Sequence, residues 1–140
     1  MTAKYLLKIS LAALLLSATP QQAAMAQTSQ RIPLYQLEAM FSDMRIKAPW
    51  NVDGPLLWGY FFFDPSEIKL QSAAKELLAA KYQVVTLVNI PGRRTFRLHV
   101  EKVEMHTPAS LHARNSELYE LAAKYKLASY DGMDVGPVPK

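Results

Sequence analysis

Leu56 to Phe63 is an almost unbroken apolar and aromatic run, Leu-Leu-Trp-Gly-Tyr-Phe-Phe-Phe. A strand with one wet face alternates polar with apolar residues. This one does not, so it must be buried on both faces or lie centrally in a sheet. Asp64-Pro65-Ser66-Glu67 follows directly and reads as a helix start, with Asp64 as N-cap, Pro65 first and Glu67 third.

Other elements fall in place around that strand. Leu34, Leu37, Phe41 and Met44 recur at spacings of three and four, which predicts a helix over 34–46, ended by Pro49. Asn51 to Pro55 is a turn cluster. The helix opened by Pro65 should run to about Lys81, with Leu70, Ala74, Leu77 and Leu78 inward and Lys69, Lys75 and Glu76 outward. Tyr82 to Ile90 is rich in β-branched residues and predicts a second strand. Pro91 to Arg94 is a turn, and Thr95 to Met105 a third strand. In it Phe96, Leu98 and Val100 share one face, and Arg97, His99 and Glu101 the other. The apolar phase then moves to Val103 and Met105, which suggests a β-bulge near Lys102. Thr107-Pro108 starts a last helix with Leu111, Leu118, Leu121, Ala122 and Tyr125 as its buried stripe. Leu127 to Tyr130 predicts a short final strand. Gly132, Gly136, Pro137 and Pro139 predict a loose tail.

From Leu56 the order is strand, helix, strand, strand, helix, strand. That is an α+β, ferredoxin-like split βαβ arrangement: a four-stranded antiparallel sheet with two helices on one face, plus an extra N-terminal helix. Trp58, Tyr60 and Phe62 alternate with Gly59, Phe61 and Phe63, so one set faces the helices and the other the opposite side. The second set needs cover, from the helix at 34–46 or from a partner protein. Cover by the chain's own helix is the simpler expectation, with Trp50 sealing the joint.

The N-terminus reads as a cleavable signal peptide over residues 1–26. Lys4 and Lys8 make a basic start, Ile9 to Leu16 an apolar run too short to span a bilayer, and Ala24-Met25-Ala26 a cleavage site. The expected product is secreted or periplasmic. Residues 27–54 then supply an unstructured lead-in (27–33), the helix and a linker, residues 55–136 the domain, and residues 137–140 a tail. There is no cysteine, hence no disulfide, no thiol nucleophile or thiolate metal site, and no lipoprotein anchor. The signal holds two lysines and no acid, so the net charge of +4 becomes +2 on cleavage. So weak a balance does not point to nucleic acid or a membrane surface.

The body resembles the RraB family, the regulators of ribonuclease activity that inhibit ribonuclease E. The resemblance lies in Trp58-Gly59-Tyr60-Phe61-Phe62, in Leu77-Leu78-Ala79-Ala80-Lys81-Tyr82, and in the hairpin that follows. It continues in Leu121-Ala122-Ala123-Lys124-Tyr125 running into Tyr130-Asp131-Gly132. It spans roughly residues 55–136 and implies a ferredoxin-like fold and a protein-binding role without catalysis. The best-known members are strongly acidic and bind a cytoplasmic ribonuclease, whereas this chain is slightly basic and carries an export signal. Met133 stands where the family often has tryptophan.

Other chemistries leave little trace. The three histidines, His99, His106 and His112, have no metal-ligand spacing and read as surface or partly buried residues with ordinary hydrogen bonds. No Gly-x-Ser-x-Gly elbow is present. Asp64 reads as a helix cap and Asp131 as a turn residue before Gly132. Arg93, Arg94, Arg97 and Lys102 line one hairpin, but its third strand lacks the pattern of base-stacking RNA modules. The expectation is therefore a non-enzymatic module that binds another protein, with inhibition of that protein as one form. Arg93, Arg94, Arg97 and His99 are the candidate contacts; no cofactor, metal or small-molecule substrate is expected. The alternative is a periplasmic nucleic-acid binder or hydrolase working on the open sheet face.

Overall fold

The apolar run forms a nine-residue strand, β1 (Leu56–Asp64), paired on both sides as its composition requires. A computed structural model describes residues 31–140; residues 1–26, expected to be a signal peptide, and residues 27–30 of the expected lead-in lie outside the described residues. Before β1 comes helix α1 (Leu34–Lys47). After it come α2 (Glu67–Ala79), β2 (Gln83–Asn89), β3 (Phe96–Glu104), α3 (Pro108–Lys124) and β4 (Ser129–Pro137). The strand order is β2-β3-β1-β4 and every neighbouring pair is antiparallel. This is the split βαβ order, α+β with three helices.

Parity along β1 builds the core. Trp58, Tyr60 and Phe62 are fully buried on the helix side, with Leu98 and Val100 beside them on β3. Leu70, Ala73, Ala74 and Leu77 come down from α2, and Leu111, Leu118, Leu121 and Ala122 from α3. Burying each large side chain contributes roughly 1.5–3 kcal/mol. Leu78, expected inward, is 52% exposed; the 100° step from Leu77 carries it past the sheet edge.

Helix α1 does not cover the other face of the sheet, contrary to expectation. It packs beside α3 on the helix side: Phe41 stacks on Trp58 with ring centroids 6.0 Å apart, and Leu37 is buried. The physical reason lies in β1, whose largest ring, Trp58, faces that side and leaves a third slot in the helical layer. Part of the lead-in is held too, since the Ile32 N–H donates to the Tyr119 hydroxyl at 3.1 Å.

Local chemistry corrects the expected boundaries. The N-cap of α2 is Ser66, whose hydroxyl accepts from the Lys69 N–H. Asp64 instead ends β1, only 2% exposed, and its carboxylate accepts from the Ser66 N–H at 2.7 Å and the Ala128 N–H at 2.8 Å. One carboxylate thus ties the start of α2 to the approach to β4. No bulge occurs near Lys102: β1 and β3 pair in unbroken register from Leu56↔Glu104 to Asp64↔Phe96. The apolar phase shifts because Lys102 sits on the helix side, its ammonium 3.0 Å from the Ala80 carbonyl and over the Tyr82 ring. The register shifts lie between Val84 and Thr86, and between Tyr60 and Phe62. The tail expected to be loose is the edge strand β4, where Gly132, Gly136 and Pro137 are tolerated because an edge needs only one set of ladder bonds.

Helices α2 and α3 both end in a Schellman motif. Tyr82 N–H bonds the Leu77 carbonyl and Lys81 N–H that of Leu78; Leu127 and Lys126 repeat the pattern on Ala122 and Ala123. The left-handed position is a lysine each time, Lys81 at φ 71° and Lys126 at φ 51°.

A polar hub ties the end of β3 to α3. Glu104 Oε2 accepts from the Tyr60 hydroxyl at 2.8 Å and lies 3.0 Å from His106 Nε2; Oε1 accepts from Arg114 at 2.6 Å. His106 Nδ1 lies 2.9 Å from the hydroxyl of Ser110, which closes a capping box with Thr107 at the start of α3. Burial alone would raise the Glu104 carboxyl, but hydrogen bonds from His106, Arg114 and Tyr60 overcome it and hold the group at about 2. Burial, followed by the Glu104 charge, pushes the Tyr60 hydroxyl well above its usual range. The hub resembles a catalytic cluster in composition, yet its members face one another inside the fold.

Three outcomes follow for urea unfolding. Asp64→Ala should lose about 2–4 kcal/mol, because two backbone donors are left buried without their charged acceptor. Lys126→Gly should gain about 0.5–1 kcal/mol by relieving the left-handed backbone. Glu104→Gln should lose about 1–2 kcal/mol at neutral pH. Its deficit is set by linkage. The folded carboxyl lies below its ordinary value of 4.5, so the stabilisation is complete above that pH and disappears as pH falls through about 2. The gap between wild type and variant should narrow across that window, and a constant gap would remove Glu104 as its source.

Candidate functional site

Opposite the helices, the second parity set of the sheet faces outward, and no described element covers it. From β1 come Leu57, Gly59, Phe61 and Phe63; from β3, Arg97, His99, Glu101 and Val103. Edge strand β2 adds Thr86 and Val88, and β4 adds Ser129, Asp134 and Gly136. The large rings at its centre are half-buried by their neighbours alone.

Phe61 is the centre of this face. The His99 imidazole stacks on it, with centroids 4.4 Å apart and planes 17° from parallel, and the Arg97 guanidinium carbon lies 6.0 Å from its centroid. Gly59 makes the adjoining space. A Cβ there would stand 2.2 Å from Asp134 Oδ1 and 2.8 Å from His99 Nε2, so the missing side chain lets β4 and β3 bring an acid and an imidazole together over the strand. His99 Nε2 is also 3.5 Å from Glu101 Oε1, but it makes no hydrogen bond. Arg97 Nε and Thr86 Oγ1 are likewise shielded and without a hydrogen-bond partner. Polar groups screened from water but unpaired cost stability where they lie.

The expected site residues therefore divide. Arg97 and His99 meet on the open face. Arg93 and Arg94 are exposed in the turn between β2 and β3, at the end of that face. Trp58, Tyr60 and Phe62 are core residues on the opposite side and touch no open surface. Tyr130 is buried as well, its ring against Phe62 and its hydroxyl donating to Asn115 Oδ1 at 2.6 Å. Asp131 and Gly132 do not form a closing turn. Tyr60 pairs with Met133 and Phe62 with Tyr130, so both stand opposite Phe61 as a β-bulge, with Gly132 at φ 96°. Sequence reasoning missed Asp134 and Thr86. Parity through Asp134 was readable only once β4 was known to extend past Tyr130, and Thr86 only once the irregularity at Val85 was known.

The composition of the face separates the chemistries it serves. One side of the Phe61 ring is occupied by His99, and the acids Glu101 and Asp134 stand beside Arg97 and His99. A phosphate backbone would meet both charges, and a base would have to displace the imidazole to stack. A hollow of about 320 Å³ at one end of the face is lined by Leu57, Lys81, Gln83, Glu101, Lys102 and Val103. Among the described residues no three potential metal ligands converge, and no helix is long and apolar enough to cross a membrane. An apolar centre with mixed charge around it suits a protein surface.

Comparison with known proteins agrees with that chemistry. No curated protein matches the chain. The model of the family described as regulator of ribonuclease activity B matches residues 38–135, from within α1 to within β4. The match takes in α1, which lies before the region where the resemblance was traced, and α1 shares the core through Phe41 and Trp58. Over that span the chain belongs to the RraB family, whose members act by binding and inhibiting a protein, a ribonuclease, and not by catalysis.

Proposed function

We propose that this chain is exported, loses residues 1–26, and acts outside the cytoplasm as a binding module that restrains another protein. Membership of a family of ribonuclease regulators supports the binding role. The observation that carries the choice of surface is the uncovered Phe61–His99–Arg97 stack, an apolar ring with an imidazole and a guanidinium beside it. Phe61 supplies the apolar anchor, Arg97 and His99 the central polar contacts, and Arg93 and Arg94 the rim. A ribonuclease that shares the compartment is the first target class to try, because the family regulates ribonuclease activity.

Affinity capture from periplasmic extract with the chain purified from the periplasm tests this. The intact mass should show removal of residues 1–26. A single stoichiometric protein should remain bound at high salt, because the anchor is apolar and not electrostatic. The Arg97→Ala/His99→Ala pair should weaken capture at least about tenfold, roughly 1.4 kcal/mol, while unfolding stays unchanged. Undiminished capture by the double variant would move the contact surface elsewhere. Retention that collapses with salt would favour a nucleic-acid reading.

A further inference from the structure

The two edges of the sheet are built differently. Edge strand β4 carries Asp131, Gly132, Asp134, Gly136 and Pro137, together with the bulge opposite Phe61. Charges, prolines and bulges of this kind blunt an edge against further pairing. Edge strand β2 reads Gln-Val-Val-Thr-Leu-Val-Asn, with no charge, glycine or proline. Its irregularity lies at Val85, which leaves Thr86 to Asn89 in regular register with β3 and with one row of backbone donors and acceptors facing outward.

Beside that edge runs a groove of about 360 Å³ between β2 and α2. Its floor and walls are Ala74, Leu78, Val84 and Leu87, and its rim is Glu67, Gln71 and Lys75. Leu78 and Val84 are exposed there, which accounts for a leucine the helical pattern alone would bury. A strand-shaped edge flanked by an apolar trough is the geometry in which an extended peptide adds to a sheet. Main-chain bonds then give affinity, and alternate side chains enter the trough.

Charge selects the occupant. Lys81 stands at the start of β2, Arg93 and Arg94 just past its end, and Lys75 on the groove rim. None of the four is ion-paired among the described residues. Glu67 is the lone acid of the rim, and its carboxylate accepts from the Gln71 amide. A second copy of this chain pairing antiparallel along β2 would set Lys81 of one molecule against Arg93 and Arg94 of the other, and like charges across a ladder are unfavourable. An extended segment with acidic residues at both ends meets cations at both ends instead.

We infer that the β2 edge and its groove bind an extended segment of a partner protein, apolar at alternate positions and acidic at its two ends, as a fifth strand of the sheet. This rests on the protein-binding reading above but uses the edge of the sheet, which shares Thr86, Arg93 and Arg94 with the Phe61 face.

The test titrates the full chain, expressed with its own leader and purified, against a labelled peptide, Asp-Glu-Val-Thr-Val-Thr-Val-Glu-Asp. Fluorescence anisotropy gives affinity, and amide exchange locates the bound strand. Binding should protect amides within Thr86 to Asn89. It should weaken at least tenfold with Leu78→Glu, with lysines in place of the peptide's acids, and with N-methylation of the central peptide bonds. No saturation, equal binding of the basic peptide, or indifference to N-methylation would overturn the inference. Self-association with β2 protection in the absence of peptide would overturn it in favour of a dimer. Capture from extract separates the two readings. If the peptide fails while a partner is still captured and lost with Arg97→Ala/His99→Ala, the edge assignment falls alone. If no extract yields a partner, the binding reading itself falls, and the peptide result still decides the chemistry of the edge.

Discussion

Everything in this fold depends on the register of β1 between its two neighbours. With β3 on one side and β4 on the other, each residue of Leu56–Asp64 has its face fixed by parity. A slip of one residue would send Trp58, Tyr60 and Phe62 out to solvent and draw Phe61, Phe63 and Gly59 under the helices. Several kcal/mol of aromatic burial on one side opposes any such slip. Two anchors, one at the end of the strand and one at its middle, add to that opposition. Asp64 clamps the last residue of β1 to the backbone of Ser66 and Ala128, and Tyr60 is tied to Glu104, which α3 holds through Arg114. The open face is therefore as rigidly placed as the core, because the same strand carries both.

That rigidity explains how far the sequence could be read. The buried central strand, the two helices that flank the hairpin, the split βαβ order and the face shared by Arg97 and His99 all follow from period and parity. Those patterns are enforced by burial on one side of each element. Thr107-Pro108 was legible as a cap for a similar reason, since the side chain and the restricted φ act locally. The family likeness in Trp58-Gly59-Tyr60-Phe61-Phe62 was legible too, although most of those residues build the core and do not contact a partner.

What stayed hidden depended on tertiary context. Asp64 and Ser66 both suit an N-cap, and only the approach of Ala128 shows why the acid is drawn into the interior. Lys102 on a buried-side position broke the apolar alternation of β3 and mimicked a bulge, because its stem crosses Tyr82 to reach a helix C-terminus. Gly132, Gly136 and Pro137 suggested a tail because intrinsic propensity describes central strands better than edges. The docking of α1 was a choice between two apolar surfaces, and the ring of Trp58 decided it.

The stability of the helix side permits an unfinished surface on the other. On the helix side Glu104 gathers Tyr60, His106 and Arg114, Ser110 meets His106, and Asn115 binds Tyr130, which leaves Trp58 Nε1 and Arg114 Nε there unpaired. Of the five shielded side-chain atoms without a partner among the described residues, Thr86 Oγ1, Arg97 Nε and His99 Nε2 lie on the open face. A glycine at position 59 gives up a side chain that could have packed there and admits an acid and an imidazole from the neighbouring strands. A sheet needing only solubility would carry short polar residues on such a face, each hydrated independently. Placing a stacked imidazole, a guanidinium and two carboxylates over a phenylalanine instead leaves directional groups pre-oriented by the strands beneath them. A partner that meets these groups need not order them first, so it forfeits less side-chain entropy on binding. On the proposed binding role, this face would form one half of a core completed by another protein.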